Sequence, residues 1–561
     1  MHDIVIRGGM IVDGSGRLAY RGDVAIDGAR VSAVGKVSAE AWRTIDAEGR
    51  LVTPGFIDPH THLDAQLVWD PLATPACWHG ITTVVLGNCG VSYAPVRPTD
   101  RERLSRTLES VEEIPVESIM ASFTWSWEGY AGYLAALAAR PLGVNAAGLV
   151  GHAPLRLYAM GEAGVDPHRE PREVELARMQ QALDDAVAAG ALGFSTSRTR
   201  SHTTPEGVPI PGSFARGEER RALTDVLRKQ GKGIVQWVAG FGEEDRSEEY
   251  PEARREVSRI AAASRSSGRP VIFSMFTHAW VPTLHRHVLD QAGRERAAGA
   301  DVRPMQSPRA VLSLLGLANR SPLRGSAWKE LYARPIDERR AALEDAELRR
   351  RLVAASGAAQ ESAGAELYLL GPEVCDYRLD PERQLSRVAA RRGQRPAEVV
   401  VELFRESDGR QLFVHATSNQ VEAHIDEVLG FPGALVGLGD NGAHVTSICD
   451  ASLTTYLLCD WCRARNKLPL ERAVAQLTSE PARAFGIGSR GLLAPGYFAD
   501  VNVIDYDALA MELPEYAHDF PAHAGRWTQR ARGYDYTLVN GEVTIERDRH
   551  TGRLPGVVLR A

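Results

Sequence analysis

The chain has 561 residues, of which 44% are hydrophobic, and its formal net charge is −7. This length gives room for a large buried core and favours more than one domain. The 65 basic and 72 acidic residues are spread along the sequence without a basic block. Nucleic acid and anionic membrane are therefore not expected as partners.

The N-terminus begins with alternating apolar residues and has no cationic segment followed by an apolar run. No signal peptide is predicted from this pattern. Later apolar stretches are interrupted well before the roughly 20 residues that a bilayer crossing needs. We therefore expect a soluble, cytoplasmic protein, and the six cysteines are expected to remain thiols because they are too few for a disulfide scaffold.

The two ends of the chain share a pattern of short strands. Residues 1 to about 53 alternate in the manner of antiparallel strands separated by Gly or Asp turns. After about Arg490 the pattern returns in GLLAPGYFADVNVIDYD and YTLVNGEVTIERDRH. We predict that residues 1–53 and 486–561 build one small β domain.

Between these ends, short apolar runs alternate with amphipathic helical patterns; examples of the runs are ITTVVLGN, GVNAAGLVGH, GALGFSTS, GKGIVQWVAG, RPVIFSM, QLFVHAT and GALVGLGDN. Parallel strands joined by crossover helices give this alternation. The number of runs favours a barrel over an open sheet. The stretch from about 307 to 407 is rich in Arg, Glu and Ala, which predicts a mainly helical insertion at the barrel mouth.

The segment GFIDPHTHLD places His60 and His62 two residues apart, directly after an apolar strand that begins at Leu51. Alternate strand positions face the same way, so both imidazoles can reach one ion. Asp58 and Asp64 flank the pair. Two ordinary surface or core histidines are the alternative, but this setting favours a metal site, and zinc suits imidazole combined with carboxylate or thiolate ligands.

Two further residues follow apolar strands. Cys89 comes after the β-branched run from Thr82 to Leu86, at the face where barrel active sites lie, and a buried structural cysteine is the alternative. Asp440 ends the strand in GALVGLGDNGAHV. Beside Asn-Gly, an Asp is commonly a cap or turn residue, and the other interpretation is a carboxylate that binds metal and takes a proton from its water.

Other histidines and cysteines give weaker signals. Cys459 and Cys462 form a C-x-x-C without a second pair, which favours a helical surface position over a zinc site. Most histidines near apparent strand ends are expected to be polar or capping residues, although any of them is a candidate to complete a site: His152, His202, His278, His415 and His444.

Taken together, the motifs resemble the amidohydrolase superfamily, and within it the D-aminoacylase (N-acyl-D-amino-acid deacylase) group, over nearly the whole chain. The matching segments are GFIDPHTHLD, ITTVVLGNCGVSYAP, VNAAGLVGHAPLR, GALGFSTS and RGLLAPGYFADVNVID, and GNCG is the most specific. The resemblance implies an α/β fold in which residues 54–485 form a (β/α)8 TIM-like barrel and both termini form a β-sandwich. It also implies hydrolysis of a small-molecule amide C–N bond by metal-activated water.

The resemblance also assigns roles to residues. It makes His60, His62, Cys89 and Asp440 metal ligands, with Cys89 in the place of the carbamylated lysine of many relatives. It makes Asp440 the general acid/base. We further predict that His152, Arg198 and His444 contact the substrate, because His152 and His444 lie within matching motifs and Arg198 follows a predicted strand.

The departures from the family matter as much. Two family histidines of the middle strands correspond to Val238 and Met275, neither of which is a plausible zinc ligand. Thr277 stands where the family has a basic residue that holds the substrate carboxylate, and the family's Arg after Asp440 is missing. These departures predict one zinc ion, with a second site in doubt, and a substrate whose α-carboxylate is absent or differently presented.

The leading hypothesis is therefore a metal-dependent amidohydrolase that resembles N-acyl-D-amino-acid deacylases. A hydrolase that opens cyclic amides or imides and a deaminase are alternatives, since one fold hosts many chemistries. A barrel that binds a small molecule without turnover is a further alternative. The expected partner is a small-molecule amide, and a homo-oligomer is compatible with the sequence.

Overall fold

In the computed structural model, residues 1–357, 364–371 and 375–561 are described. Strands from both ends of the chain meet in one nine-stranded sheet. Its strands are β1 (His2–Ile11), β2 (Tyr20–Asp27), β3 (Arg30–Gly35), β4 (Ala41–Asp46), β5 (Leu51–Pro54), β17 (Val501–Ile504), β22 (Tyr534–Val539), β23 (Glu542–Glu546) and β24 (Arg549–His550). Antiparallel pairing of β5 with β17 joins the two ends.

The interior of this terminal sheet is packed with Ile, Val and Leu side chains from both ends of the chain, such as Ile6, Val24, Val501 and Leu538. Two short hairpin-like pairs accompany it: β18 (Ala510–Met511) with β21 (Ala531–Arg532), and β19 (Glu515–Ala517) with β20 (Arg526–Thr528). Burial of apolar surface from both termini makes the folding of one end depend on the other.

Eight parallel strands form the central sheet, and they are β6 (Phe56–Asp58), β7 (Ile81–Leu86), β8 (Asn145–Gly151), β9 (Gly193–Arg198), β10 (Ile234–Ala239), β11 (Val271–Ser274), β12 (Val302–Gln306) and β16 (Leu435–Val436). Their sequence order is also their spatial order. A parallel bridge between Thr61 and Asn441 joins the two edges of the sheet. The result is a TIM-like barrel, and the bridge brings the segments after β6 and β16 side by side at its mouth.

Helices cover the outside of the barrel, so its strands are buried on both faces and read as apolar runs. The helix Glu173–Ala188, for example, buries Met179, Leu183 and Val187 at helical spacing. The helices between and after the barrel strands are Arg101–Glu112, Val116–Ser122, Tyr130–Ala138, His152–Met160, Glu173–Ala188, Gly217–Gln230, Pro251–Ser267, Leu284–Ala297, Glu422–Leu429, Leu453–Tyr456, Leu470–Leu477 and Ser479–Phe485. Among the described residues, no helix is both long and apolar enough to cross a membrane.

The predicted insertion at 307–407 contains strands as well as helices. Its helices are Ser326–Tyr332, Ile336–Ala342, Ala346–Ala355, Leu385–Arg392 and Pro396–Glu406. They accompany a three-stranded antiparallel sheet of β13 (Val311–Gly316), β14 (Leu367–Leu370) and β15 (Leu412–Ser418). Residues 358–363 and 372–374 of the predicted range lie outside the described residues.

One strand assignment from the sequence was wrong. The run QLFVHAT is β15, which pairs with β13 and β14 and not with the barrel strands. Its Phe413 packs on Phe404 at a ring distance of 5.6 Å and belongs to a separate core, whereas its Leu412 and Val414 belong to the main core. The barrel strand that the pattern missed is β12, because Arg303 and Pro304 interrupt its apolar character.

Candidate metal centre

Three buried side chains from two neighbouring barrel strands converge at the mouth of the barrel. His60 and His62 follow β6, and Cys89 follows β7. The Cys89 Sγ atom lies 3.2 Å from His60 Nε2 and 3.5 Å from His62 Nε2. One ligand atom of each residue lies within 4.8 Å of the others, which is close enough for all three to share one ion.

Asp440 joins this cluster from the segment that the Thr61–Asn441 bridge places beside β6. Its Oδ1 atom lies 3.1 Å from His60 Nε2 and 3.9 Å from His62 Nε2. Within the described part of the chain this buried oxygen makes no hydrogen bond. A buried carboxylate oxygen without a hydrogen bond is costly, and a cation shared with the neighbouring imidazoles would satisfy it.

The backbone at two cluster residues adopts the left-handed region, with φ of 58° at Cys89 and 41° at Asp440. Such conformations cost energy and persist where the surroundings impose them. The Cys89 N–H donates to Gln236 Oε1 at 2.9 Å, and the Asp440 carbonyl accepts from the N–H of Ala443 at 2.8 Å. These bonds hold both turns in place.

Gly87 allows the turn before Cys89 to form. Its φ is +72°, and an added Cβ would lie 2.1 Å from the carbonyl oxygen of Leu149. No other residue fits there without moving β8. The glycine of the GNCG motif therefore serves the close approach of two barrel strands at the point where Cys89 turns inward.

Electrostatics at the cluster favour a cation. Burial raises the pKa of the Cys89 thiol well above its usual value, and the Glu112 and Asp440 carboxylates raise it further. Burial lowers the pKa of His62, which keeps this imidazole neutral and able to donate a lone pair. Burial alone would raise the pKa of Asp440, but the neighbouring His60 brings it below the usual range. A divalent cation here would stabilise the thiolate and carboxylate forms.

The donor set of two imidazoles, one thiol and one carboxylate fits zinc, which takes such ligands in four-coordinate sites. On the opposite side of the mouth, the two positions where family histidines were expected are occupied by the buried side chains of Val238 and Met275. In the part of the chain that the structure describes, His60, His62 and Cys89 form the cluster with metal-site spacing.

Comparison with known proteins agrees with this geometry. Residues 43–545 match the sequence pattern of the amidohydrolase family. The chain belongs to the amidohydrolase family. It is a metal-dependent hydrolase of carbon–nitrogen bonds other than peptide bonds, as its motifs predicted.

Individual relatives match over their full length. N-acyl-D-glutamate deacylase from Alcaligenes xylosoxydans xylosoxydans is 30% identical over 564 residues, which cover 100% of this chain and 96% of the relative. The structure of N-acyl-D-glutamate deacylase from Bordetella bronchiseptica with zinc and a phosphonate inhibitor is 28% identical, covers 100% of both chains and has a TM-score of 0.66. A D-aminoacylase described as having a binuclear metal centre is 26% identical, covers 100% of both chains and also has a TM-score of 0.66.

His152 has no free nitrogen in this amidohydrolase. Its Nδ1 is 3.0 Å from Thr196 Oγ1, and its Nε2 is 2.8 Å from Glu219 Oε1. Glu219 also accepts from Arg156 at 2.6 Å. Both ring nitrogens already have partners within the protein, and contact of His152 with the substrate stays a prediction. His152 belongs to a buried ion-pair network.

Arg198 and His444 are placed differently from each other. Arg198 lies at the end of β9, 3.2 Å from Glu256 Oε2 and 5.5 Å from the Phe214 ring centre, so its charge is already compensated. His444 lies beside the metal cluster, where its charge affects the pKa of His62 and Asp440. Contact of Arg198 and of His444 with the substrate stays a prediction.

Glu112, Ser195 and Gln236 support the cluster through hydrogen bonds and close contacts. Glu112 Oε1 lies 3.2 Å from His62 Nδ1. Ser195 Oγ donates to the carbonyl of Gly87 and accepts from the N–H of Gly90, and Gln236 holds Cys89. Ser195 and Gln236 are polar residues within apolar barrel strands, which is a signal that the sequence does carry; Glu112 lies on a helix and has none.

Of the remaining candidates, Cys459, Cys462 and His415 lie in ordinary structural positions, whereas His202 lies near the cluster. Cys459 and Cys462 are on the π-helix Leu457–Ala464, which agrees with the helical position predicted for them. Cys462, however, is buried and not on the surface. His415 pairs with the exposed Glu366. His202 bonds Ser197, and burial together with the His444 charge lowers its pKa to about 4.

Proposed function

We propose that this amidohydrolase is a zinc-dependent deacylase of a small N-acyl substrate, with one ion held by His60, His62, Cys89 and Asp440. The observation that supports this proposal most directly is the buried cluster of two imidazole nitrogens and a thiol. Beside it lies a carboxylate oxygen, 3.1 Å from His60 Nε2, that makes no hydrogen bond within the described residues. The full-length relatives named N-acyl-D-glutamate deacylase and D-aminoacylase support the substrate class.

The chemistry divides between the ion and the chain. Bound zinc would polarise the amide carbonyl and lower the pKa of a water molecule. Asp440 would take a proton from the attacking water and pass it to the leaving nitrogen, which a general acid/base does from within hydrogen-bond reach. Its pKa lies below the usual range, so the residue is a carboxylate at neutral pH.

A single ion is proposed because Val238 and Met275 supply no nitrogen, oxygen or thiolate on the far side of the mouth. The hydrocarbon side chain of Val238 and the thioether of Met275 are not adequate ligands for zinc. A second ion would have to share the four residues that already surround the first.

The substrate is proposed to lack an α-carboxylate or to present it differently from relatives. Thr277 is buried, and its N–H and hydroxyl lie 2.9 and 3.3 Å from Asn419 Oδ1, so it offers no charge. Arg156 and Arg198 are already paired with Glu219 and Glu256. An unpaired carboxylate in a dry pocket costs on the order of several kcal/mol.

Product analysis with purified protein tests this proposal. A panel of N-acyl-D-amino acids, their amides, hydantoins and lactams is offered to the zinc-loaded enzyme. We expect release of a free amine and a carboxylic acid from a linear N-acyl compound. Ring opening of the cyclic compounds, release of ammonia from an amino-substituted ring, or binding without turnover would each replace the deacylase proposal with one of its alternatives.

We also infer that residues 1–53 and 486–561 form the small β-sandwich domain, that 54–485 form the catalytic barrel and that 307–407 are an insertion at its mouth. Asn145 at the start of β8 supports close packing of the barrel against the terminal sheet. It contacts Asp500, which precedes β17, and Asn540, which follows β22. The substrate is a small molecule, and a cytoplasmic location and homo-oligomer formation stay predictions.

A further inference from the structure

A buried carboxylate lies behind one of the two metal-site histidines. Glu112 is the last residue of the helix Arg101–Glu112 and is 1% exposed. Its Oε1 atom lies 3.2 Å from His62 Nδ1 and makes no hydrogen bond within the described residues. In that part of the chain His62 is also its ion-pair partner, and no Lys or Arg reaches it.

The two nitrogens of His62 face different partners. Nε2 faces the cluster, 3.5 Å from Cys89 Sγ, whereas Nδ1 faces Glu112. The His60 ring has no such arrangement, because its buried Nδ1 has no partner among the described residues. Metal-bound histidines usually donate their second ring N–H to a carboxylate or carbonyl, which fixes the tautomer and raises the basicity of the ligand nitrogen.

The end of the helix is fastened to the segment that carries Asp440. The Glu112 carbonyl accepts from the N–H of His444 at 2.5 Å. The next residue, Glu113, has a φ of 55° and accepts from the hydroxyls of Ser447, at 2.9 Å, and Thr446. These bonds fix where the Glu112 carboxylate lies relative to both His62 and Asp440.

We propose that Glu112 is a positioning residue for the metal site: its carboxylate accepts the Nδ1 proton of His62 and thereby directs the Nε2 lone pair toward the ion. This inference rests on the proposed function, since it requires that His62 is a ligand. The Oε1 atom already lies within hydrogen-bond distance of Nδ1, and the bond forms when the N–H is aligned with it. The protein thus selects the tautomer of His62 before the ion arrives.

Zinc affinity provides the first test, measured on purified full-length protein by competition with a chromophoric chelator. Replacing an outer carboxylate partner usually costs about 10- to 100-fold in affinity, and we expect Glu112→Ala to lose that much. Glu112→Gln keeps an oxygen that accepts a hydrogen bond and should lose less. Glu102→Gln, an exposed residue on the same helix, is the matched control and should bind as the unmodified protein does.

The tautomer of His62 provides a readout that a purely structural role would not change. Long-range ¹H–¹⁵N correlation spectra of the metal-free protein should show His62 with its proton on Nδ1, and Glu112→Ala should lose this preference at an unchanged Tm. If Glu112→Ala folds poorly, Glu112→Gln takes its place, with an expected loss of several-fold in zinc affinity.

The outcomes separate the two proposals. If the unmodified protein binds no zinc, the proposed function itself fails. If it binds zinc, but the Glu112 variants bind equally tightly and keep the Nδ1–H tautomer, the inference about Glu112 is overturned while the metal site stands.

Discussion

The barrel has two sites with buried histidines, and they differ in whether their buried polar atoms have hydrogen-bond partners. At one, His60 and His62 meet Cys89 and Asp440, and the buried Oδ1 of Asp440 and Nδ1 of His60 make no hydrogen bond within the described chain. At the other, both nitrogens of His152 have hydrogen-bond partners, and Glu219 and Arg156 neutralise each other. The histidines of both sites are buried.

The difference teaches that burial and motif membership do not distinguish a ligand from a structural residue. Buried polar groups are normally satisfied, and each exception needs an explanation. At the satisfied site, His152, Glu219 and Arg156 form a network in which each polar group has a partner. For the unsatisfied site we propose an ion, which the donor set fits.

The sharpest contrast between the sites is expected in turnover. Asp440→Asn should lower kcat by at least about a hundredfold, because it removes a positioned acid/base, while far-UV circular dichroism stays unchanged. Glu219→Gln, the matched carboxylate of the other site, should keep most of the turnover. Near-normal turnover of Asp440→Asn on the true substrate would remove its assignment.

Zinc affinity should also differ between variants of the two histidine sites. His60→Gln should reduce zinc affinity by at least about a hundredfold, since losing a direct ligand costs more than losing an outer partner. His152→Gln should bind zinc as the unmodified protein does. Isothermal titration with zinc would measure both, and equal losses in the two variants would erase the distinction.

The free energy of unfolding should depend more on the His152 network than on the metal cluster. Arg156→Met leaves the Glu219 carboxylate buried beside His152 without its guanidinium, and breaking a buried pair in this way costs about 3–5 kcal/mol. Urea unfolding of the metal-free protein measures this change. Adding Glu219→Gln to the same chain should recover part of the loss, and an unchanged midpoint in Arg156→Met would show that the network contributes nothing.

The smallest expected effect concerns substrate recognition. Since Arg156 and Arg198 are paired and Thr277 is uncharged, the ratio of kcat/KM for N-acetyl-D-methionine to that for its methyl amide should stay below about tenfold, or about 1.4 kcal/mol in transition-state binding. A clear preference for the free acid beyond that ratio would show that the pocket does hold a carboxylate partner.

The sequence predicted the barrel and the cluster because both depend on local patterns. The spacing of His60 and His62, the strand before Cys89 and the Gly-rich turn after β16 are each readable within about ten residues. The partner of His62 was not, because Glu112 lies on a helix fifty residues away and has no local signal. β15 was misassigned because its residues are buried on both faces, as in a barrel strand: Phe413 lies in one core and Leu412 and Val414 lie in another.

The hydrogen-bond partners of His152 could not be predicted from the sequence either. Its partners Thr196 and Glu219 lie 44 and 67 residues further along the chain, and only the closed barrel brings them together. A histidine within a strongly matching motif therefore gave the same signal as a true site residue.

The most direct test of the central claim is the metal content of the purified protein by elemental analysis after removal of loosely held ions. A single site built from His60, His62, Cys89 and Asp440 predicts about one zinc or similar divalent ion per chain, and its loss in His60→Gln but not in His152→Gln. Two tightly held ions per chain, or one ion that survives in His60→Gln, would contradict the account.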